Sequence, residues 1–251
     1  MRYIIISKVI VKIILPLLFA SFFLWQIAYF IAVLCADETA EDTTKVRQLK
    51  LDNTETTDTD LQRIADNYPN LVELTLSGTK ISDDGVEHLT QLTKLRNLRI
   101  SKSAITDSVA KTLAKILSLE TIDVSQTSFG DKGLAELKTL PKLKKLNLYT
   151  TKITDNGLGV FKDFKSAKTL VWLNIDKCVL TDAAVAKLAP LEKLEWLHLG
   201  RTALSDAGLE TLAKYQTLKE VSITNTSVTK NGVAKLKAAL PNCKINENTE
   251  I

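Results

Sequence analysis

The sequence predicts an α/β solenoid: eight strand-turn-helix units that stack side by side with a right-handed path and share one inner parallel β-sheet. Three observations predict it. An apolar pattern recurs about every 24 residues, each unit changes from a period of two to a helical spacing, and small polar residues recur between the two parts. Because one strand and one helix cannot enclose a core, neighbouring units must stack and share theirs.

Each unit opens with an apolar residue, called position 1 here. The eight units start at Val46, Leu71, Leu95, Leu119, Leu143, Leu170, Leu194 and Leu218. Positions 4 and 6 are Leu, Ile or Val in every unit, which is the alternation of a strand with one buried face. Apolar residues then recur at positions 16, 19 and mostly 22, on one face of a helix. The fifth unit carries three extra residues within 162–169, which we expect in a longer helix or an outer loop.

Two polar positions lie between strand and helix. Position 9 is Thr or Ser in seven units and Cys178 in the sixth, and we expect it to hydrogen-bond the backbone of the turn. Position 13 is Lys230 in the eighth unit and, in the other seven, an aspartate that with the Ser or Thr before it is placed to cap the helix: Asp58, Asp83, Asp107, Asp131, Asp155, Asp182 and Asp206. A calcium-binding column is the alternative, but a helix N-terminus beside each carboxylate explains all seven without an ion.

The repeated motif L-x-x-L-x-L-x-x-T-x-I-T-D-x-G-L-x-x-L resembles the leucine-rich-repeat family, in its helical, cysteine-containing bacterial type with Thr in the Cys position. Only Cys178 fills that position as in the family pattern. The 24-residue period with long helices is less like the shorter internalin-type repeat. The resemblance covers 46–243 and implies a curved solenoid that binds other molecules through its surface.

Because positions 4 and 6 are buried, positions 3, 5, 7 and 8 should line the inner face. Trp172 and Trp196 then fall in one column on adjacent strands, about 4.8 Å apart. The expected binding surface consists of Trp172, Trp196, Tyr149, His198, Asn147, Asn174, Asp176 and Arg201. Exposed Trp, Tyr and Arg favour a protein or glycan ligand. Alternatively, the two tryptophans pair with each other and only stabilise the sheet.

An uncharged run over 13–36 follows Arg2, Lys8 and Lys12 and precedes an acidic segment, as in an export signal. We therefore assign 1–36 to a cleaved signal peptide or a retained membrane anchor, with lipid modification of Cys35 as a third reading. Residues 37–45 form a tether or partial cap, and 244–251 a C-terminal tail. In each case the solenoid is expected outside the cytoplasm.

Composition removes several classes of function. Three of the 33 basic residues and none of the 29 acidic ones precede Ala36, so the rest of the chain is almost neutral and lacks a nucleic-acid-binding surplus. The chain has two histidines and no G-x-S-x-G, H-E-x-x-H or C-x-x-C motif, so we expect no enzyme, metal centre or cofactor. The sequence predicts a non-catalytic exported binding scaffold of unknown oligomeric state. A structural envelope protein anchored by its uncleaved N-terminal helix is the alternative.

Overall fold

The computed structural model describes residues 43–247. The predictions for the signal or anchor over 1–36, for most of the tether over 37–45 and for the end of the tail over 248–251 lie outside the described residues. Within 43–247, no helix combines the length and apolar character needed to cross a membrane.

The strands form one parallel sheet in strict sequence order. They are β1 to β9: Gln48–Lys50, Glu73–Thr75, Asn97–Arg99, Thr121–Asp123, Lys145–Asn147, Trp172–Asn174, Trp196–His198, Glu220–Ser222 and Lys244–Asn246. Each consists of positions 3 to 5 of its unit, and each residue pairs with the same position of the next unit. The predicted solenoid with an inner parallel sheet is confirmed.

Each of the eight units also contains one α-helix. They are α1 to α8: Asp58–Asn67, Asp83–Val86, Val109–Leu113, Asp131–Glu136, Asp155–Leu158, Asp182–Lys187, Asp206–Leu212 and Lys230–Ala239. The expectation of long helices is wrong for the inner units, where helices have 4 to 7 residues. Several continue as 3-10 turns, such as Glu87–Gln91 and Gly159–Asp163, so the apolar residue at position 19 or 22 reaches the core from a tighter turn.

The core is a single cluster that runs through all units. Leu74 and Leu76 of β2 and its turn are fully buried, as are their counterparts Leu146 and Leu148. In the terminal first unit, by contrast, Leu49 and Leu51 are only partly buried. A unit therefore buries its apolar face fully only where it has a neighbour on both sides.

The turn after each strand uses a left-handed residue at position 8. Gly78 has φ 71°, and the other seven are non-glycine residues with φ between 52° and 57°: Asn53, Lys102, Gln126, Thr150, Lys177, Arg201 and Asn225. At position 9, the hydroxyl group donates to the backbone carbonyl of position 6, for example Thr79 Oγ1 to Leu76 O at 2.6 Å. This hydrogen bond, repeated in every unit except the sixth, closes the turn.

The position-13 carboxylates link each unit to the following one. Asp131 accepts hydrogen bonds from the backbone N–H of Thr154 at 2.8 Å and from its hydroxyl group at 2.6 Å. Asp58, Asp83, Asp155, Asp182 and Asp206 do the same with the Ser or Thr of the next unit. Asp107 accepts instead from the N–H groups of Gly130 and Gly133.

Six of these aspartates are the first residue of their own helix, where a negative charge is favourable, but the N-cap is the Ser, Thr or Gly before them. In three of these helices the side chain of that preceding residue caps the helix, as when Thr181 Oγ1 accepts from the N–H of Ala183. Asp107 lies two residues before α3, which begins at Val109. The carboxylates thus combine a favourable place at the helix start with hydrogen bonds to the next unit.

The same contact explains the glycine in the T-D-x-G motif. A Cβ atom at Gly157 would lie 2.0 Å from Asp131 Oδ1, and one at Gly232 would lie 2.1 Å from Asp206 Oδ1. The carboxylate of the preceding unit therefore occupies the space that a side chain would need. Two inner units lack the glycine. In the third unit Val109 replaces it and the helix starts at that residue, whereas in the sixth unit Ala184 replaces it and the helix still starts at Asp182.

Two regions differ from or refine the expectation. Lys244–Asn246, assigned to the tail, is a ninth strand that pairs with β8 and covers the last edge of the core. The extra residues of the fifth unit form turns on the helix side after a 3-10 helix, so the outer loop is the correct alternative. There Phe161 and Phe164 pack edge to face with ring centroids 5.0 Å apart.

The Asp131–Gly157 contact predicts that Gly157→Ala destabilises the wild-type chain but does not destabilise a chain that also carries Asp131→Ala. Gly157→Ala in the wild-type chain should lower the free energy of unfolding by about 1–3 kcal/mol, because its Cβ overlaps the Asp131 carboxylate. In an Asp131→Ala background the overlap is gone, and the same change should be neutral or stabilising, since Ala favours a helix over Gly by about 1 kcal/mol. Urea unfolding followed by circular dichroism measures both.

Gly159→Ala is the matched control, because its Cβ would meet only Lys187 Nζ at 3.7 Å. It should have the same small effect in both backgrounds. An equal cost of Gly157→Ala with and without Asp131 would contradict the proposed role of the carboxylate.

Candidate binding face

Strand pairing sets the columns of the inner face. In each three-residue strand, position 4 is turned into the core, so positions 3 and 5 lie on the opposite face. Trp172 therefore pairs with Trp196 and lies next to Lys145 in the position-3 column. Asn174 pairs with His198 in the position-5 column. Two neighbouring columns on β5 to β7 thus bring most of the sequence-predicted site residues together.

The two tryptophans, although paired in register, contact different partners with their rings. The Trp172 ring packs against His198 on the next strand, with centroids 5.4 Å apart and planes inclined at 50°. The Trp196 ring has the ammonium group of Lys219 5.3 Å from its centroid, within the range of a cation–π interaction. Both side chains are partly exposed. Neither indole N–H donates to a protein acceptor anywhere in residues 43–247, so both donors can serve a ligand.

Asn147 and Asn174 are partly used by their own turns. Asn147 Oδ1 accepts from the N–H of Tyr149 at 3.2 Å, and Asn174 Oδ1 accepts from the N–H of Asp176 at 3.0 Å. Asp123 holds the turn after β4 in the same way. These are Asx turns, which satisfy the backbone where each strand ends. The NH2 groups of the two Asn side chains can donate to a ligand, because the turns use only their Oδ1 atoms.

Asp176 is nearly inaccessible, with 8% of its surface exposed. Its carboxylate accepts from the N–H of Gly200 at 2.5 Å and so links the sixth unit to the seventh, as Asp52 links the first to the second through Ser77 N–H. Burial raises the pKa of Asp176, and the Gly200 N–H and the charges of His198 and Arg201 partly oppose that rise. The structure therefore gives Asp176 a structural role, linking two units at the end of the strands.

Tyr149 lies at the end of β5, beside Asp176 in the position-7 column, and is partly exposed. The next residue, Thr150, is left-handed with φ 54°. A β-branched residue rarely adopts this conformation. In addition, Thr150 Oγ1 is buried and has no hydrogen-bond partner within the described residues. Local strain is thus concentrated next to the aromatic cluster, which we define as Tyr149, Trp172, Trp196 and His198.

The other chemically reactive groups lie elsewhere. Cys178 is buried, and its Sγ donates to the backbone carbonyl of Leu148 at 3.2 Å. Burial raises the pKa of this thiol. Cys178 and Cys243 are both free thiols. In the described part of the chain, no group of three or more His, Cys, Asp or Glu side chains is arranged to hold a metal ion.

Sequence reasoning included Arg201 but left out two other basic residues beside the cluster. Lys145 pairs with Trp172, and Lys177 is the left-handed residue directly after Asp176. Both are exposed. The signal for Lys145 was its place in the position-3 column of the repeat. What distinguishes these residues from other surface lysines is the set of charges around them, which appears only when neighbouring units are placed side by side.

The strain at Thr150 predicts a stabilising substitution. Thr150→Asn and Thr150→Gly should each raise the free energy of unfolding, Asn by about 1 kcal/mol, because Asn and Gly tolerate the left-handed region and remove the unpartnered hydroxyl group. Asn225→Thr, at the same position of the eighth unit, should lower it by a similar amount. Chemical denaturation measures all three, and a loss of stability in both Thr150 variants would refute the assignment of strain.

Comparisons with known proteins agree with this architecture. The family model described as "Leucine Rich repeat" matches residues 69–89. The crystal structure of internalin C2 from Listeria monocytogenes str. 4b F2365 is similar, with a TM-score of 0.62 and 25% sequence identity over 82% of each chain. The 24-residue repeat was expected to be less like the internalin-type repeat, but the overall folds are similar. No curated protein sequence matches significantly. The repeated strand-turn-helix unit, the match of the family model to residues 69–89 and the shared architecture support a leucine-rich-repeat family for this chain.

Proposed function

We propose that this protein is a non-catalytic scaffold that binds a protein partner on the inner face of its sheet, at the aromatic cluster. The leucine-rich-repeat fold itself suggests a protein-binding scaffold. The observation that carries the location is the adjacent placement of Trp172 and Trp196, both partly exposed, in one column. Large aromatic side chains at the centre of a concave surface are typical of binding hot spots.

The ring contacts favour a protein over a glycan as the ligand. A sugar stacks on an open aromatic face, but Trp172 uses ring surface on His198 and Trp196 uses ring surface on Lys219. A protein ligand does not need a fully open ring face. One of its apolar side chains can fill the gap between the partly covered rings, and its peptide carbonyls can accept from the two indole N–H groups. The Asn147 and Asn174 amide groups supply further donors along the position-5 column.

We further propose that the solenoid works outside the cytoplasm. The support is the uncharged segment over 13–36 with basic residues before it and acidic residues after it. Cleavage of this segment would release a diffusing binder, whereas its retention would hold the binding face near a membrane surface. The retained form is also the setting of the alternative, a structural envelope protein without a soluble ligand.

Replacing both tryptophans tests the binding site. Trp172→Ser/Trp196→Ser should leave the melting temperature within a few degrees of the wild type, because neither ring is buried in the core. Capture of the protein partner from native extracts of the source cells should fall at least tenfold, as expected when two hot-spot side chains are removed. Val179→Ser is the control, since Val179 is 73% exposed and lies outside the cluster. Unchanged capture by the folded double variant would contradict the proposal.

Mass spectrometry of the protein purified from the source cells tests the export. A mature N-terminus near Ala36 in an extracytoplasmic fraction is expected for the diffusing binder, and an intact Arg2 in the membrane fraction for the anchored form. A full-length chain in the cytoplasmic fraction would refute export in either form.

A further inference from the structure

The acidic and basic side chains around the aromatic cluster differ in whether they already have partners within the protein. The carboxylates near it already have protein donors, whereas several basic side chains do not. We propose that the segment of the partner protein that binds the cluster is acidic; this inference rests on the proposed function and specifies the chemistry of its ligand.

The carboxylates around the cluster are all engaged. Asp176 is buried and accepts from Gly200 N–H. Glu195, beside Trp196, pairs with Lys219 at 2.8 Å. Glu220, on the next strand, accepts from Asn246 at 2.7 Å and pairs with Lys244 at 3.3 Å. The Asn246 hydrogen bond and the Lys244 charge hold the pKa of Glu220 below its usual value. A basic partner would have to compete with these existing contacts.

Most basic residues on the strands are ion-paired, but the one beside Trp172 is not. Positions 3 and 5 of the nine strands carry four Lys or Arg side chains. Three form ion pairs with the next or preceding strand: Lys50 with Glu73, Arg99 with Asp123, and Lys244 with Glu220. Lys145 is the exception among the described strands, since no carboxylate lies within ion-pairing distance of it. It is also the one that neighbours Trp172.

Two further cations border the cluster at the other end of the strands. Lys177 and Arg201 occupy position 8 of the sixth and seventh units, directly after Asp176 and Gly200, and both are exposed. Neither forms an ion pair with a carboxylate of residues 43–247; the Arg201 charge acts on Asp176 only as one of several influences on its pKa. Three cations thus lie at the two ends of the strands that carry the cluster, and none of them is ion-paired within residues 43–247.

Such an arrangement suits an extended peptide with acidic residues on both sides of an apolar one. The apolar side chain would contact Trp172 and Trp196, while carboxylates would approach Lys145 at one end and Lys177 and Arg201 at the other. Cations at the rim of a binding site attract an oppositely charged partner and reject a like-charged one more than they add affinity. The charges would therefore select the partner, and the aromatic side chains would hold it.

Selection from a random peptide library tests the inference. The full-length chain, purified in a mild detergent and immobilised, is offered a phage-displayed library of random dodecapeptides at low ionic strength. The expected winners carry net negative charge with an aromatic or aliphatic residue between acidic ones. As synthetic peptides they should bind the Lys145→Glu/Lys177→Glu/Arg201→Glu variant roughly tenfold or more weakly, measured by fluorescence anisotropy. Their affinity should also fall as salt is added.

The control variant is Lys111→Glu/Lys132→Glu/Lys214→Glu, which makes the same change in net charge at exposed positions outside the strands. It should bind the selected peptides within about twofold of the wild type. Circular dichroism melting verifies that both variants fold. Equal weakening by the two triple variants would overturn the inference, because the effect would then come from overall charge.

The remaining outcomes separate this inference from the proposed function. Neutral or basic winners that depend on Trp172 and Trp196 would overturn the acidic partner while leaving the binding face intact. Winners indifferent to both tryptophans would overturn the binding face and the inference together. Binding of uronic acid or sulfated oligosaccharides at the cluster, with no peptide selected, would replace a protein ligand by an anionic glycan and so overturn both proposals in their present form.

Discussion

No unit of this protein can bury its apolar residues without its neighbours, and the remaining features of the structure follow from that constraint. Leu74 and Leu146 are fully buried because a unit lies on either side, while Leu49 of the first unit is not. Stacking in register also places equal positions beside each other. This is what turns two tryptophans 24 residues apart into neighbours, and what allows a carboxylate of one unit to accept hydrogen bonds from the next.

Periodicity sufficed to predict the fold and the buried positions, because a repeat that is individually unstable has few ways to pack. It did not predict the short helices, since an apolar residue at the right spacing can reach the core from a 3-10 turn as well. Nor did it predict the partners of Asp131 and its equivalents. The sequence shows each aspartate in front of its own helix, whereas the Thr or Ser that it binds lies in the next unit. Lys244–Asn246 was missed because no turn or helix of the repeat follows it.

For the binding face, alternation along the strands predicted which residues share a surface, and the structure brings the rings of Trp172 and His198 into contact beside Trp196. Alternation does not reveal which polar atoms the fold needs. The oxygens of Asn147 and Asn174 accept hydrogen bonds within turns, and Asp176 is buried. Conversely, Lys145 looks like any surface lysine in the sequence. Its distinction is that no carboxylate on the neighbouring strands lies within ion-pairing distance of it, since Asp123 on β4 already pairs with Arg99.

Cys178 gives this solenoid an internal reporter. Its thiol lies between the fifth and sixth units, where it donates to the Leu148 carbonyl of the unit before it, and burial raises the pKa of this thiol. A thiol reacts as the thiolate, so modification requires that these two units separate first. Because contacts join only adjacent units, such separation need not unfold the whole chain. The rate at which a thiol reagent labels Cys178 therefore reports how often the middle of the solenoid opens.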